Sequence, residues 1–444
     1  MTDAKTLWAW WQALLLPFQE DFTRPGWVRF AQWVTGMVLC WEEHTITQIL
    51  TALGLESRWR PLEYFAEFGA FDDAAVERRT LQVIEQHRPA RWAGYQPVAV
   101  DDTKEHRTSA GVWGTCTFHE PASRSPNRAT TVRAHNWVVM GDLIPGQPWT
   151  YVPHAARLYF RASQLPAGAT FCTKTVWAST LLHQADAASP LPILGVFDGA
   201  YANRTVIGPC LNPKQGERRI DIVTRLRQDA RLYHPVVTPA KGKGRPRTWG
   251  RRLAAPQHHE QWDAPWRKGQ AYLYGRLRNF QYKQVRCHWS VAGPKIPVHV
   301  FVFLVEGYDK PWFVVTTALA LSVAEVVAVF AARFRQEDGF RDHKQRLGME
   351  ECRAWTRNPI LHTFTVQMVA QTLLRLLQVQ LDAAYGEGQW WRAPDWNRHK
   401  KHPSVLDLRR LLWHYREEFS QFLAALEELP KGAPEIRPGR AQAS

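Results

Sequence analysis

The sequence predicts an α/β fold in which a mixed sheet with flanking helices lies between helical N- and C-terminal regions. Three observations carry this. Apolar runs at 97–103 and 191–198 look like short buried strands, each ending in an acid. Around them strand-like and helical segments alternate, an order that a mixed sheet with helices on its faces accommodates economically. Finally, residues 322–348 have the pattern of one long helix with its own start and stop signals.

In chain order, residues 1–92 look helical, with Trp8, Trp11, Leu14 and Leu15 on one face of a first segment. A short helix at 45–55, a turn at Gly54 and a further helix at 59–68 fit a helix-turn-helix for duplex DNA, and equally any small helical bundle. After Gly94 the period shortens, and strands are expected at 97–103, 111–118, 132–143 and 150–160. A helix at 175–187, a strand at 191–198, a short helix and a strand at 219–227 follow. Within 228–320 the segments 271–277, 283–290, 298–305 and 312–317 look like strands. Helix returns at 359–381. Residues 385–403, rich in Trp and basic side chains, form a linker or a DNA-contacting loop, and Ser404 opens a last helix to 429. The Lys-, Pro- and Gly-containing segment 430–444 is expected to be disordered.

Composition narrows the function. A chain of 444 residues with 45% hydrophobic content can bury a large core across two or three domains. Its formal net charge of +15 points to a polyanionic partner, most simply nucleic acid. The apolar run 7–18 is too short to span a bilayer and lacks the marks of a signal peptide, while 359–381 carries His362, Gln367, Gln371 and Arg375. A cytoplasmic protein is therefore expected. The six cysteines form no Cys-x-x-Cys pair, which indicates neither a disulfide framework nor a zinc site.

The long helix carries the first chemical signal. Ser322 and Glu325 make a capping box, and Gly348 sits where a left-handed cap would end the helix. At roughly 100° per residue, Val323, Val326, Val327, Phe330 and Phe334 share a stripe that continues onto Glu337, Arg341 and Lys344. A core-facing carboxylate needs compensation, and a bound cation would supply it; the alternative is a solvated helix end. Asp101 and Asp198, at the ends of the two buried strands, add two more carboxylates, with Asp102 as a rival to Asp101. Three oxygen-donor acids gathered by a fold can hold a pair of hard divalent cations for phosphoryl transfer.

Phe330-x2-Arg333-x3-Glu337-x6-Lys344 resembles the Tyr-Arg-Glu-Lys signature of bacterial insertion-sequence DDE transposases, with Phe in place of Tyr. Asp101-x-Thr103 and Phe197-Asp198-Gly199 resemble the first two acids of the same set, and the likeness spans residues 95–356. It implies a ribonuclease-H-like catalytic domain at 93–227 and 321–356, a β-rich insertion at 228–320, an inverted-repeat-binding domain at 1–92 and a helical C-terminal region at 357–444. On this resemblance Asp101, Asp198 and Glu337 are catalytic and bind two magnesium ions, for which manganese can substitute. Arg333 and Lys344, with Arg341 beside them, then hold the DNA backbone near the scissile phosphate. Phe330 lacks the hydroxyl that meets a phosphate elsewhere in the family.

Lys241, Lys243, Arg245 and Arg247 lie on a glycine-rich stretch suited to backbone phosphates. Trp249, Trp289 and above all Trp312 are candidates for stacking on an unpaired base. The implied activity is cut-and-paste transposition by a homodimer, acting on terminal inverted repeats and target DNA at the bacterial nucleoid. A structure-selective nuclease of the same fold and a non-catalytic, domesticated DNA-binding protein are the alternatives.

Overall fold

The computed structural model describes residues 3–88, 92–120, 131–213, 216–236 and 247–427. The chain opens with α1 (Ala4–Leu15), α2 (Arg24–Leu39), α3 (Ile46–Thr51), α4 (Trp59–Phe68) and α5 (Asp73–His87). Side-chain oxygens of Asp3, Thr23, Thr45 and Asp72 cap four of these helices, so local sequence sets where they begin. Trp8, Trp11, Leu14 and Leu15 are all buried, as the first stripe requires.

The middle of the chain supplies β1 (Gln96–His106), β2 (Cys116–His119), β3 (Thr131–Ile144), β4 (Thr150–Tyr159), α6 (Lys174–Ala188), β5 (Ile193–Phe197), α7 (Arg204–Leu211) and β6 (Ile220–Arg225). Next come β7 (Leu232–Tyr233), β8 (Arg252–Leu253), β9 (Arg267–Leu273), β10 (Arg276–Trp289), β11 (Pro297–Val305) and β12 (Trp312–Thr316). The strands join one mixed sheet, ordered β2-β3-β1-β5-β6-β12-β11-β10-β7-β8, with β4 on β3 and β9 on β10. Among the described residues only β1–β5 and β5–β6 pair in parallel. Because β12 pairs with β6, residues 228–320 extend this sheet rather than building a separate one.

The helices α8 (Val323–Ala332), α9 (Phe334–Arg346), α10 (Arg357–Tyr385), α11 (Val405–His414) and α12 (Arg416–Glu427) complete the chain. One apolar layer joins α8 to Ala99, Leu194, Val196 and Val223 on one face of the sheet. The opposite face packs Val98, Val100 and Ile222 against α6 and α7. Among the described residues α10 is the one helix long and apolar enough to cross a membrane, and 89% of that stretch is buried inside the protein. It is the central helix of the terminal helical layer, between α2 and β4.

Four expectations need correction. The last helix, expected from Ser404 to 429, divides at Tyr415 into α11 and α12, because Tyr415 leaves helical backbone geometry. The strand expected at 97–103 continues to His106, so Asp101 lies mid-strand rather than at its end. The segment 271–277 is not one strand but the β9–β10 hairpin, because Tyr274 and Gly275 both take positive φ and reverse the chain. The helix expected over 322–348 has its capping box and its left-handed Gly348, but it breaks at Arg333 into α8 and α9. The Gln336 N–H reaches back only three residues, to the Arg333 carbonyl, which tightens the turn. The charged continuation of the stripe is lost with it. On α9 the sheet-facing residues are Gln336, Gly339 and His343, while Phe334 is 41% exposed.

Candidate catalytic site

Strand register brings the first two acids together. In the parallel β1–β5 pair Ala99 faces Val196, so Asp101 and Asp198, each two residues further on, come off neighbouring strands at the same level, close enough for the Asp198 charge to act on Asp101. The period of two along a strand then assigns faces. Ala99 and Asp101 share the face covered by α8 and α9, whereas Val98, Val100 and Asp102 face α6 and α7. On that far side Asp102 accepts from Lys174 at 2.6 Å and from the Tyr201 hydroxyl at 2.9 Å. Burial holds the Tyr201 phenol well above its usual range, so it stays a donor. The Asp102 backbone N–H donates to Asp101 Oδ1 at 2.8 Å, which links the two neighbours. Asp198 begins the turn after β5, and the Thr224 hydroxyl fixes that turn by donating to the carbonyls of Phe197 and Asp198.

Arg333 connects the third acid to this pair. Its guanidinium lies 3.0 Å from Glu337 Oε1 and 3.6 Å from Asp101 Oδ2. Gln336, fully buried, anchors the same helical turn to the sheet. Its Nε2 donates to the Val139 carbonyl at 3.1 Å and lies 3.2 Å from the Tyr151 hydroxyl. Val139 is the partner of Asp101 across β1 and β3, so Gln336 fixes Glu337 relative to Asp101 through a single strand pair.

Burial first, and then the Asp198 charge, pushes the Asp101 carboxyl up to about 7, against the smaller lowering effects of the Asp102 N–H and Arg333. A buried carboxylate with a second one beside it is the kind of oxygen-donor pair that a hard divalent cation takes. Glu337 stands across Arg333 from the pair, and among the described residues no three His, Cys, Asp or Glu side chains converge on one point that could hold an ion.

The remaining expected residues are placed as follows. Lys344 is 3.6 Å from Glu350, two helical turns beyond Glu337, and Arg341 pairs with Asp338 at 3.0 Å. Trp312 belongs to an aromatic cluster with Tyr274, Tyr308 and Phe330 beside Arg333. Trp289 is a core residue at 3% exposure, and Trp249 packs on Tyr233. Lys241, Lys243 and Arg245 lie outside the described residues, while Arg247 is exposed. A cavity of about 710 Å³ lies elsewhere, between α3–α4 and residues 352–363, and none of the three acids lines it. Sequence reasoning missed Gln336, Thr224 and the Lys174–Tyr201 pair. None of these carries a sequence signal, because their partners are backbone carbonyls or a strand neighbour that only the fold supplies.

No curated protein matches the chain. Residues 17–287, more than half of it, match the family described as DDE superfamily endonuclease, a span that includes Asp101 and Asp198 and stops before Glu337. With aspartates on two neighbouring strands and a carboxylate-bearing helix tied by Arg333 to the first of them, this protein belongs to the DDE superfamily endonuclease family.

Proposed function

We propose that this endonuclease is the transposase of a bacterial insertion sequence, with Phe330, Arg333, Glu337 and Lys344 as its variant of the Tyr-Arg-Glu-Lys signature. The sheet around β1, β5 and β6 is then its ribonuclease-H-like core, residues 1–92 bind the terminal inverted repeats, and two copies act on paired ends at the nucleoid. The observation that supports this most is the parallel β1–β5 pairing that brings Asp101 and Asp198 to neighbouring strands, with Glu337 linked to Asp101 by Arg333 and its helix held on β3 by Gln336.

In this reading Asp101 and Asp198 would hold divalent cations, magnesium or manganese, with Glu337 as a third ligand once Arg333 leaves it for a phosphate. When bound, these supply an activated attacking oxygen and a stabilised leaving oxygen. The protein does the rest by position. Arg333, now the countercharge of Asp101 and Glu337, offers its planar donors to a DNA phosphate brought to the same place. Lys344, on the same helix, holds the backbone further along, and Arg341 and the basic stretch with Lys241, Lys243, Arg245 and Arg247 add sequence-independent affinity. Water attacks the phosphate at the element end and the bond to the 3′-oxygen breaks. The freed 3′-hydroxyl then attacks a target phosphate and displaces a second 3′-oxygen.

The test is a labelled inverted-repeat duplex incubated with the full chain and magnesium. Strand cleavage followed by joining to a second DNA is expected, with both steps lost in Glu337→Gln. Cleavage without joining would make the protein a nuclease, and absence of cleavage would reduce it to a DNA-binding protein.

A further inference from the structure

The β9–β10 hairpin turns on two residues, Tyr274 at φ 50° and Gly275 at φ 83°. Two positive φ values in a two-residue hairpin define a type I′ turn, where Asn, Asp or Gly normally take the first position. A tyrosine held left-handed there costs on the order of 1 kcal/mol, and such strain persists only where the surroundings enforce it. Here they do. The Tyr274 ring packs edge-on against Phe334 at 5.7 Å and Trp312 at 6.2 Å, and lies 5.8 Å from Tyr308. Phe334 is the first residue of α9, directly after Arg333, and Phe330 packs on the other side of Trp312 at 5.9 Å. The hairpin tip thus folds back over the start of the helix that carries Glu337.

The hydroxyl is the unused part. Among the described residues it makes no hydrogen bond, although the ring is half-buried. The charges of Arg333, Glu337 and Arg335 all act on it, while burial, the leading cause, pushes the phenol up to about 12, so it remains a neutral donor at physiological pH. An unpartnered donor in the field of two arginines and one carboxylate, on a strained and clamped backbone, is suited to an anion that arrives from outside.

We propose that Tyr274 is a DNA-phosphate ligand, its hydroxyl donating to a non-bridging oxygen of the same backbone phosphate that Arg333 grips. This rests on the reading that the carboxylate site takes DNA. It gives residues 228–320 a direct part in that site through the tip of one hairpin. It also places a hydroxyl beside Trp312, the ring that Phe330 packs against without one. Arg333 contributes charge, and the Tyr274 hydroxyl fixes orientation, since a phenol on a two-residue turn has little freedom to lose on binding.

Tyr274→Phe keeps the ring contacts and removes only the donor. The measurement is binding of the full chain, without divalent metal, to a duplex ending in the inverted repeat, alongside the same duplex with an uncharged methylphosphonate at the scissile position. Wild type is expected to bind the natural duplex about tenfold more tightly than Tyr274→Phe, the value of one charge-assisted hydrogen bond, with the two converging on the methylphosphonate duplex. Equal binding of the natural duplex by both proteins overturns the role of Tyr274 and leaves the functional reading standing. A loss that persists in full on methylphosphonate DNA overturns it too, by showing that the hydroxyl does not meet that phosphate. Wild type that binds no duplex overturns the functional reading and the proposal together.

Discussion

Replacing Asp101 with asparagine should stabilise the metal-free protein, and the size of the gain should depend on pH. The asparagine Oδ1 can still accept the Asp102 N–H, so the substitution removes charge with little change of shape. Burial and the Asp198 charge raise the Asp101 carboxyl from its ordinary 3.8 to about 7. A carboxyl raised in the folded state favours folding below its unfolded value, and that contribution is lost as pH climbs through the folded value. The span from 3.8 to about 7 corresponds to on the order of 4 kcal/mol, an upper figure because Asp101 retains 22% exposure and can relax toward water. Urea unfolding at pH 4, 6 and 8 without divalent metal should therefore show Asp101→Asn equal to wild type at pH 4 and more stable by about 2–4 kcal/mol at pH 8. Magnesium at pH 8 should reverse the order, because only wild type gains binding energy from a cation on the carboxylate pair. A variant no more stable than wild type at pH 8 would refute the reasoning, since it would mean that Arg333 already neutralises the site.

Other predictions follow from the same geometry. Glu337→Gln should abolish cleavage, by on the order of a hundredfold or more, while leaving the melting temperature nearly unchanged, because this side chain is 45% exposed and among the described residues bonds only to Arg333. Gln336→Ala should destabilise by about 2–3 kcal/mol in urea unfolding, since it removes a buried donor to the Val139 carbonyl and the Tyr151 hydroxyl and leaves a cavity where a fully buried side chain stood. Gly339→Ala puts a methyl 2.6 Å from the Tyr151 ring, which should cost about 1–3 kcal/mol and lower cleavage as α9 lifts off the sheet. Phe330→Tyr should not reduce strand cleavage, because the half-buried ring at Trp312 gains only a terminal hydroxyl.

What the sequence made legible was the chemistry of single positions. Asp101, Asp198 and Glu337 were visible as acids in suggestive places, but their adjacency depends on register, which no local pattern encodes. The choice between Asp101 and Asp102 stayed open for the same reason. Alternation puts them on opposite faces, yet only the packing of α8 and α9 against Ala99 tells which face meets Glu337. The break at Arg333 was illegible because nothing in Ala332-Arg333-Phe334 opposes a helix. It accompanies Gln336 bonding to the Val139 carbonyl, on a strand nearly two hundred residues earlier in the chain. The turn at Tyr274 was hidden by its residue type, since Ala-Tyr-Leu-Tyr-Gly-Arg-Leu alternates as a strand should, and tyrosine favours strands.

The way residues 228–320 join the sheet constrains how the site can work. β12 lies against β6, and β6 lies against β5, the strand that delivers Asp198. The junction is also bonded through side chains: the buried Thr316 hydroxyl donates to the Ile222 carbonyl at 2.8 Å, and the Thr317 hydroxyl to Asp221 at 2.6 Å. A segment attached by a hydrogen-bonded ladder cannot swing as a hinged lid without breaking several backbone bonds at once. The positions of Trp312 and Tyr274 relative to the carboxylates are therefore set by strand register, like the carboxylates themselves. On the proposed function, closure over DNA would then come from side chains, with Arg333 exchanging carboxylate for phosphate, and from the nucleic acid fitting a wall that is already in place.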